Sequence, residues 1–296
     1  MINMVSVKGL FPASATPYDS SGSINHAALE TLLRRNLYEG ASGFFVGGSS
    51  AECFLLSEQE RISILETAST LKKETAIIAH VGAISTAEAI RYAKAAKTLG
   101  AGYIASTPPF YYGFNNAQIA KFFYDISDAA DMPVMVYNFP GNTGKSFDLS
   151  DPDIRGLLKS DIVWGIKHTD YNLFLLERIM EINPKLVVMN GYDETMISGL
   201  AIGADGSVGS TFNVILPHFL KIYNAYLSGK TIEAQSLQVK ANNILSVFCD
   251  VGLIAAIKYV LTLQGIDAGN PRSPFNSLTD EQKESVRDVL DVNLVV

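Results

Sequence analysis

The feature that most constrains the fold of this chain is the regular alternation of short apolar runs with amphipathic segments. The runs recur at a spacing of roughly 25 to 30 residues, which is typical of repeated βα units that build a parallel sheet. The predicted strands are Gly9–Ala15, Gly43–Val46, Ala76–His80, Tyr103–Ser106, Pro133–Tyr137, Ile162–Lys167, Leu186–Asn190 and Gly206–Gly209. Eight such units without a break in composition predict an α/β protein with a single (β/α)8 barrel.

The segments between the strands carry helix signals. Ser57 with Glu60, and Ser85 with Glu88, each predict a capping box at the start of a helix. Further predicted helices are Asn25–Tyr38, Ala117–Ala130, Asn172–Glu181, Thr195–Ile202, Ile215–Leu227, Thr231–Cys249, Ile254–Leu263 and Thr279–Leu290. The last three follow the eighth strand, so we expect a barrel over residues 1–230 and a helical extension over residues 231–296, packed together as one domain.

Composition and charge exclude several classes of protein. The net charge is −7 and no basic run or stripe is present, which argues against binding to nucleic acid. No apolar run approaches the roughly 18 residues that a membrane span needs. The segment 1–8 lacks the charged start and apolar core of a secretory signal, so a cytoplasmic location is expected.

Cysteines and histidines give no sign of a disulfide or a metal site. Cys53 and Cys249 lie far apart in sequence, and a structural disulfide is not expected. The four histidines are scattered without the spacing of metal ligands, at positions His26, His80, His168 and His218. We therefore expect no metal centre.

Polar residues at the strand ends define a candidate site, because functional groups of a (β/α)8 barrel lie at the C-terminal ends of its strands. These residues are Ser49, Ser50, His80, Thr107, Tyr111, Tyr112, Tyr137, Asn138, Lys167, Thr169, Asp193, Glu194, Ser210 and Thr211. One amine, a strand-terminal phenol, several hydroxyls and a carboxylate pair are therefore expected at one mouth of the barrel.

Lys167 ends a buried apolar run and is the candidate nucleophile. Burial disfavours the ammonium form of a lysine, and a partly neutral amine is what Schiff-base formation requires. The alternative is a lysine whose stem is buried while its amine reaches water. Tyr137 ends the preceding strand, where a phenol beside an amine could shuttle a proton. It could equally be a packed aromatic residue whose hydroxyl bonds a backbone carbonyl.

Two further motifs offer groups for a polar ligand. Gly47-Gly48-Ser49-Ser50-Ala51-Glu52 lies between a strand and a helix, where backbone N–H groups and two hydroxyls could hold an anion. It could also be an ordinary tight turn, and it lacks the Gly-Lys-Ser/Thr of a phosphate loop, so a carboxylate is the better ligand. Asp193 and Glu194 could accept hydrogen bonds from hydroxyls or cap the following helix. His168 is predicted to point away from the mouth, in a structural role.

Several motifs resemble one enzyme family. Gly-Gly-Ser-Ser-Ala-Glu at 47–52, Tyr-Asn-Phe-Pro at 137–140, Gly-Ile-Lys-His-Thr at 165–169, Gly-Tyr-Asp-Glu at 191–194 and Gly-Ser-Thr-Phe-Asn at 209–213 resemble the dihydrodipicolinate synthase and N-acetylneuraminate lyase family of Schiff-base aldolases. The resemblance covers essentially the whole chain. Its lyase branch fits best, on Ala-His-Val-Gly at 79–82, Ser-Thr-Ala-Glu at 85–88, Pro-Phe-Tyr-Tyr at 109–112 and Asn-Gly-Tyr-Asp-Glu at 190–194.

The resemblance implies a reaction and a role for each residue. It implies reversible cleavage of N-acetylneuraminate to N-acetylmannosamine and pyruvate, without a metal or pyridoxal phosphate. Lys167 would form the imine, Tyr137 would relay the proton of the C4 hydroxyl, and Ser49 and Ser50 would hold the C1 carboxylate. The residues implied for the sugar hydroxyls and the glycerol-like tail are Thr169, Gly191, Asp193, Glu194 and Ser210. Tyr111 would reach a neighbouring subunit's site in an assembly that, by the same analogy, is a homotetramer.

Two departures from the family pattern leave the substrate open. Ser50 and Ala51 replace threonine and glycine of the usual lyase motif, and Ala51 fits poorly if its φ must be positive. Asn142 stands where synthases place an arginine and lyases usually place an apolar residue. Without that arginine, the chain lacks a bidentate partner for a second substrate carboxylate. Another 2-keto-3-deoxy sugar acid aldolase or dehydratase, or a dihydrodipicolinate-synthase-like enzyme of the same family, therefore remains an alternative. A binding protein without catalysis is a third, although such a protein needs no imine-forming amine.

Overall fold

A computed structural model describes residues 7–294 of the 296-residue chain. Its strands are β1 (Gly9–Pro12), β2 (Gly43–Val46), β3 (Ala76–His80), β4 (Tyr103–Ser106), β5 (Val134–Asn138), β6 (Val163–His168), β7 (Val187–Asn190) and β8 (Gly206–Gly209). They follow one another in a single sheet in the order β1-β8-β7-β6-β5-β4-β3-β2, and the pairs from β3 to β8 are parallel. The predicted (β/α)8 barrel with C-terminal helices is confirmed.

Helices follow the strands in alternation. They are α1 (His26–Glu39), α2 (Glu58–Ser69), α3 (Thr86–Leu99), α4 (Asn116–Ala130), α5 (Pro140–Thr143), α6 (Pro152–Lys159), α7 (Leu173–Ile182), α8 (Met196–Ala201), α9 (Phe212–Leu227), α10 (Thr231–Val251), α11 (Leu253–Leu263) and α12 (Asp280–Asn293). Single 3-10 turns occupy Ser49–Ala51, Cys53–Leu55 and Asp193–Thr195. Because α10 to α12 follow the last strand, they form the predicted helical extension.

The contacts within the chain divide it into two compact units. One contains residues 69–208, and its core includes Ile104, Val136 and Ile166. The other contains residues 9–68 together with those from 209 onward, and its core includes Phe11 and Phe212. The central strands are buried on both faces, which explains their continuous apolar runs. The boundary at residue 230, between a barrel and a helical extension packed together as one domain, stays a prediction.

Most strand bounds agree with the prediction, and the differences have local causes. Strand β1 was expected to reach Ala15 but ends at Pro12, because Ala13 and Ser14 donate to Gly209 and Phe45 outside the regular ladder. Strands β5 and β6 each begin and end one residue later than predicted. Proline has no N–H for the ladder, so Pro133 precedes β5 instead of opening it.

The predicted helices also need correction at several positions. Helices α5 and α6 were missed, although Asp151 before Pro152 is a helix-start signal and the Asp151 carboxylate accepts from Asp153 and Ile154 N–H groups. The helix expected at Thr195–Ile202 is a 3-10 turn followed by α8. The one expected from Ile215 begins at Phe212, with non-helical backbone angles at Ile215 two residues before Pro217.

Both capping signals mark helix starts. Ser57 and Glu60 exchange hydrogen bonds before α2, and Ser85 accepts the Glu88 N–H at the start of α3. Among the described residues, Cys53 is buried and Cys249 is exposed, and no disulfide joins the two.

The described residues contain no single helix whose length and composition would let it cross a membrane. The helix pair α10 and α11 passes that test jointly, but it is bent by 113°.

We expect Gly165→Ala to destabilise the fold. Gly165 lies in β6, and a Cβ there would come within 2.6 Å of the Val187 carbonyl oxygen and 2.9 Å of the Met135 methyl group. Overpacking of this kind costs about 1–3 kcal/mol. Urea unfolding of the purified variant measures the loss.

Gly156→Ala is the matched control for this prediction. Gly156 is an exposed position of α6, and a methyl group added to it would meet no neighbouring atom within 4 Å. Alanine should raise stability there by about 0.5–1 kcal/mol, because glycine is a poor helix former. Equal stability changes in the two variants would contradict the packing argument for β6.

Candidate active site

Lys167 and Tyr137 lie side by side on neighbouring strands. The register of β5 and β6 pairs Tyr137 with Lys167. Both side chains are buried, with Lys167 only 4% exposed. The Lys167 Nζ lies 3.9 Å from the centroid of the Tyr137 ring. The amine is therefore enclosed against the ring of Tyr137, and the alternative of a lysine whose amine reaches water does not describe Lys167.

Other aromatic rings fix the position of Tyr137. Its ring stacks on Phe139 at 5.6 Å between centroids and meets the edge of the His80 ring at 5.9 Å. His80 ends β3 and is buried. Because rings pack against Tyr137 from two directions, it has little freedom to leave Lys167.

Gly82 allows His80 and Thr107 to approach one another. A Cβ at position 82 would lie 2.6 Å from Thr107 Oγ1 and 2.7 Å from His80 Nε2. The buried Thr107 Oγ1 has no hydrogen-bond partner within the described part of the chain. The sequence places both residues at strand ends but assigns neither a role. The structure therefore adds what the sequence did not predict: His80 lies against the Tyr137 ring, and Thr107 lies near His80.

Thr169 and Gly191 form a second close pair in the same unit. Thr169 is buried, and among residues 7–294 its Oγ1 finds no hydrogen-bond partner. A Cβ at Gly191 would lie 1.9 Å from that oxygen and 2.9 Å from the His168 carbonyl. Gly191 is therefore required for the Thr169 hydroxyl to occupy its place, whatever contact either residue makes with a ligand.

Asp193 and Glu194 lie in the 3-10 turn after β7. Asp193 is buried and Glu194 is half-buried. The Tyr171 hydroxyl donates to Glu194 Oε1 over 2.7 Å, and the Tyr171 ring stacks on Tyr192 at 4.7 Å. Sequence reasoning missed Tyr171, because no local pattern connects it with a carboxylate 23 positions later.

His168 has the structural surroundings that its strand position predicts. Its Nδ1 lies 2.9 Å from the Asn138 side-chain nitrogen, and its Nε2 lies 3.1 Å from the Asn172 carbonyl oxygen. These partners indicate a neutral ring, with Nε2–H donating to Asn172 and Nδ1 accepting from Asn138. Burial lowers the pKa of His168 below its usual 6.5, with partial opposition from the Asp170 charge.

The serine residues of the predicted anion cradle lie in the other unit. Ser49, Ser50 and Ala51 form a 3-10 turn, and Ser50 Oγ lies 2.5 Å from Ser210 Oγ. Both serines of the turn are half-buried. The structure thus brings together the hydroxyls of Ser50 and Ser210, which the sequence had assigned to different parts of a substrate.

The concern over Ala51 is answered by the backbone. Positive φ angles occur at Gly47 and Glu52, at 73° and 58°, whereas Ala51 belongs to the 3-10 turn between them. The Ala51 carbonyl accepts a hydrogen bond from Thr16 Oγ1 over 2.9 Å. The alanine therefore fits its position without left-handed strain.

Two predicted residues lie on the surface. Tyr111 is 82% exposed with a φ of 75°, and its ring meets the edge of Tyr112 at 5.0 Å. Asn142 is an exposed residue of α5. Within residues 7–294, no group of three or more His, Cys, Asp or Glu side chains is placed to hold a metal ion.

Comparison with known proteins gives the family. The model of the dihydrodipicolinate synthetase family matches residues 6–293. The chain belongs to this family. N-acetylneuraminate lyase 2 of Escherichia coli O6:H1 is 40% identical over 287 residues, 96% of this chain and 92% of that protein. N-acetylneuraminate lyase of Rhizobium meliloti is 34% identical, over 96% of this chain and 94% of that protein.

Solved structures of family members have the same fold. CdNal from Clostridium difficile in complex with mannosamine superimposes with a TM-score of 0.93 at 32% identity, over 98% of this chain and all of that one. A catalytic lysine mutant of Ruminococcus gnavus sialic acid aldolase superimposes with a TM-score of 0.93 at 28% identity, over 99% of this chain and 98% of that one. The family and the fold predicted from the sequence are both confirmed.

We expect His168→Leu to lower stability by about 1–3 kcal/mol, because it removes the acceptor of the buried Asn138 amide. The lowered pKa also predicts that wild-type stability falls as the pH drops below 6.5, since the unfolded imidazole then binds a proton that the folded one resists. Urea unfolding at several pH values tests both effects.

His26→Leu is the control for this prediction, because His26 is exposed on α1. The His168 variant should lose part of the acid sensitivity that the His26 variant keeps. An unchanged unfolding free energy in His168→Leu would contradict the role assigned to its hydrogen bonds.

Proposed function

We propose that this protein is a Schiff-base aldolase that reversibly cleaves N-acetylneuraminate to N-acetylmannosamine and pyruvate. The observation that carries the proposal is the buried Lys167 amine facing Tyr137 on the adjacent strand. Curated relatives at 34% and 40% identity over 96% of the chain are named N-acetylneuraminate lyases, in agreement with the branch favoured by the sequence motifs.

In the proposed reaction, Lys167 Nζ attacks the C2 ketone of the sugar acid and water leaves as the imine forms. A base removes the proton of the C4 hydroxyl, the C3–C4 bond breaks, and its electrons pass to the protonated imine. Tyr137 relays this proton. Protonation of the resulting enamine at C3 and hydrolysis of the imine release pyruvate and restore the amine.

The remaining residues bind the substrate in this proposal. Ser49 and Ser50 hold the C1 carboxylate by their hydroxyls and N–H groups. Contacts with the sugar hydroxyls and the glycerol-like tail come from Thr169, Gly191, Asp193, Glu194 and Ser210. The Thr169 hydroxyl finds no hydrogen-bond partner within residues 7–294. Because buried hydroxyls in proteins nearly always have a partner, this observation supports a contact between Thr169 and the ligand.

We further propose the cofactor requirement, assembly and location of the enzyme. The chemistry needs neither a metal nor pyridoxal phosphate, because the protonated imine is the electron sink. We place the protein in the cytoplasm as a homotetramer in which the exposed Tyr111 serves a neighbouring subunit's site. The exposure and positive φ of Tyr111 support the proposal that its side chain packs against a second chain.

A second candidate is an aldolase or dehydratase for another 2-keto-3-deoxy sugar acid. Asn142, exposed in α5, departs from both branches of the family and favours this alternative. To separate the two candidates, kcat/KM of the purified protein is measured with N-acetylneuraminate and, in parallel, with shorter keto-deoxy sugar acids. The preferred substrate gives the larger kcat/KM.

We expect Lys167→Ala to abolish pyruvate release from N-acetylneuraminate while the fold is retained. Release is followed by coupled reduction of pyruvate with NADH, and circular dichroism reports the fold. Lys97→Ala, at an exposed lysine of α3, is the control and should keep wild-type turnover. Turnover that survives in a folded Lys167→Ala protein would refute the nucleophile.

We expect Tyr137→Phe to lower kcat by about 10²- to 10⁴-fold, because general acid–base catalysis contributes on that scale. The phenyl ring keeps its packing against Phe139, so the imine with pyruvate should still form and be trapped by borohydride. Steady-state kinetics and trapping together test the assignment. Loss of trapping with unchanged kcat would point to a packing role instead.

A further inference from the structure

A second buried lysine lies next to the proposed carboxylate-binding turn. Lys258 Nζ contacts Glu52 Oε1 over 2.8 Å, and the two side chains are 1% and 0% exposed. Lys258 belongs to α11, far from Glu52 in sequence. A buried ion pair is seldom the most stabilising choice, because two apolar side chains of similar volume often give equal or greater stability. Its presence suggests a purpose beyond stability.

Glu52 has a backbone conformation that the ion pair helps to hold. Its φ and ψ are 58° and 34°, in the left-handed region that side-chain-bearing residues seldom adopt. This one residue separates the turn Ser49–Ala51 from the turn Cys53–Leu55. Strained residues persist where their surroundings over-determine them, and they concentrate at functional sites.

Three contacts fix Glu52 and the turn before it. Glu52 Oε2 accepts the Arg272 backbone N–H over 2.6 Å, while its own N–H donates to the Ser49 carbonyl over 2.9 Å. The Ala51 carbonyl accepts from Thr16 Oγ1. The Ser49–Ala51 turn therefore ends on Glu52, whose carboxylate is held by Lys258.

Besides Glu52, an aromatic ring and a backbone carbonyl lie against the Lys258 amine. Its Nζ lies 3.7 Å from the centroid of the Tyr18 ring and 3.3 Å from the Asn270 carbonyl oxygen. Arg272 also packs over the Tyr18 ring, and its guanidinium pairs with Glu60. Burial lowers the pKa of Lys258 to about 8, whereas the Glu52 carboxylate acts in the opposite direction.

We propose that Lys258 is a positioning residue that, through Glu52, sets the geometry of the Ser49–Ser50 turn and so the affinity of the enzyme for the carboxylate of a 2-keto acid. The inference rests on the proposed function, because it assigns that carboxylate to Ser49 and Ser50. Lys258 touches neither the substrate nor the reacting atoms. Loss of its charge leaves Glu52 buried without this counterion, and the turn then relaxes away from the arrangement that holds Ser50 beside Ser210.

The test measures how pyruvate concentration controls imine formation. Wild-type protein and Lys258→Met are incubated with increasing pyruvate and reduced with borohydride, and the adduct is quantified by mass. The half-saturating pyruvate concentration should rise at least about tenfold in Lys258→Met, which corresponds to about 1.4 kcal/mol of binding free energy. The extent of trapping at saturating pyruvate should stay near that of the wild type, since Lys167 is untouched.

Two further variants separate positioning from general damage. Glu52→Gln combined with Lys258→Met removes both charges and keeps an acceptor for the Arg272 N–H, so the half-saturating concentration should return to within about threefold of the wild-type value. Glu60→Gln breaks the ion pair at the other end of this cluster and leaves Glu52 with Lys258. It should behave as the wild type.

The outcomes distinguish this inference from the proposed function. A wild-type protein that is folded but forms no adduct refutes the aldolase proposal itself. If the wild type is trapped and Lys258→Met has the same half-saturating concentration, the positioning role is refuted. The role is also refuted if Glu60→Gln shows the same rise, or if neither the single nor the double variant folds, because the pair then serves folding alone.

Discussion

The candidate site depends on one contact, between the buried Lys167 amine and the face of the Tyr137 ring. The contact follows from register, since β5 and β6 pair these two residues directly. Parallel strands that are buried on both faces hold such a register firmly, because a slip by one residue would exchange the two faces of the strand. With that slip, His168 would take the place of Lys167, and the hydrogen bonds that His168 makes on the other face would be lost.

The protein places two lysines in its interior and surrounds them differently. Lys258 faces a carboxylate at 2.8 Å and is held as half of an ion pair. Lys167 faces an aromatic ring at 3.9 Å and lies near the end of its strand, at the edge where (β/α)8 enzymes carry their chemistry. Burial and an aromatic neighbour do not separate the two lysines, since the Lys258 amine also lies against a ring, that of Tyr18. Their positions in the fold do, because only Lys167 lies at a strand end.

The sequence predicts the strands well, because each is a continuous apolar run between polar segments. Position at the end of such a run was also enough to select Lys167 and Tyr137. The short helix α5 was missed because Pro140-Gly141-Asn142-Thr143 has the composition of a turn. Long-range contacts lay beyond the local pattern: the pairing of Glu52 with Lys258 and the left-handed backbone of Glu52 depend on segments far apart in sequence.

The central claim is that Lys167, and not the other buried lysine, carries the reaction. The most direct test is to reduce the wild-type protein with borohydride in the presence of pyruvate and to locate the adduct by peptide mass mapping. We predict a single adduct, on the peptide that contains Lys167. An adduct on the peptide that contains Lys258, or none on protein shown to be folded, would contradict that claim.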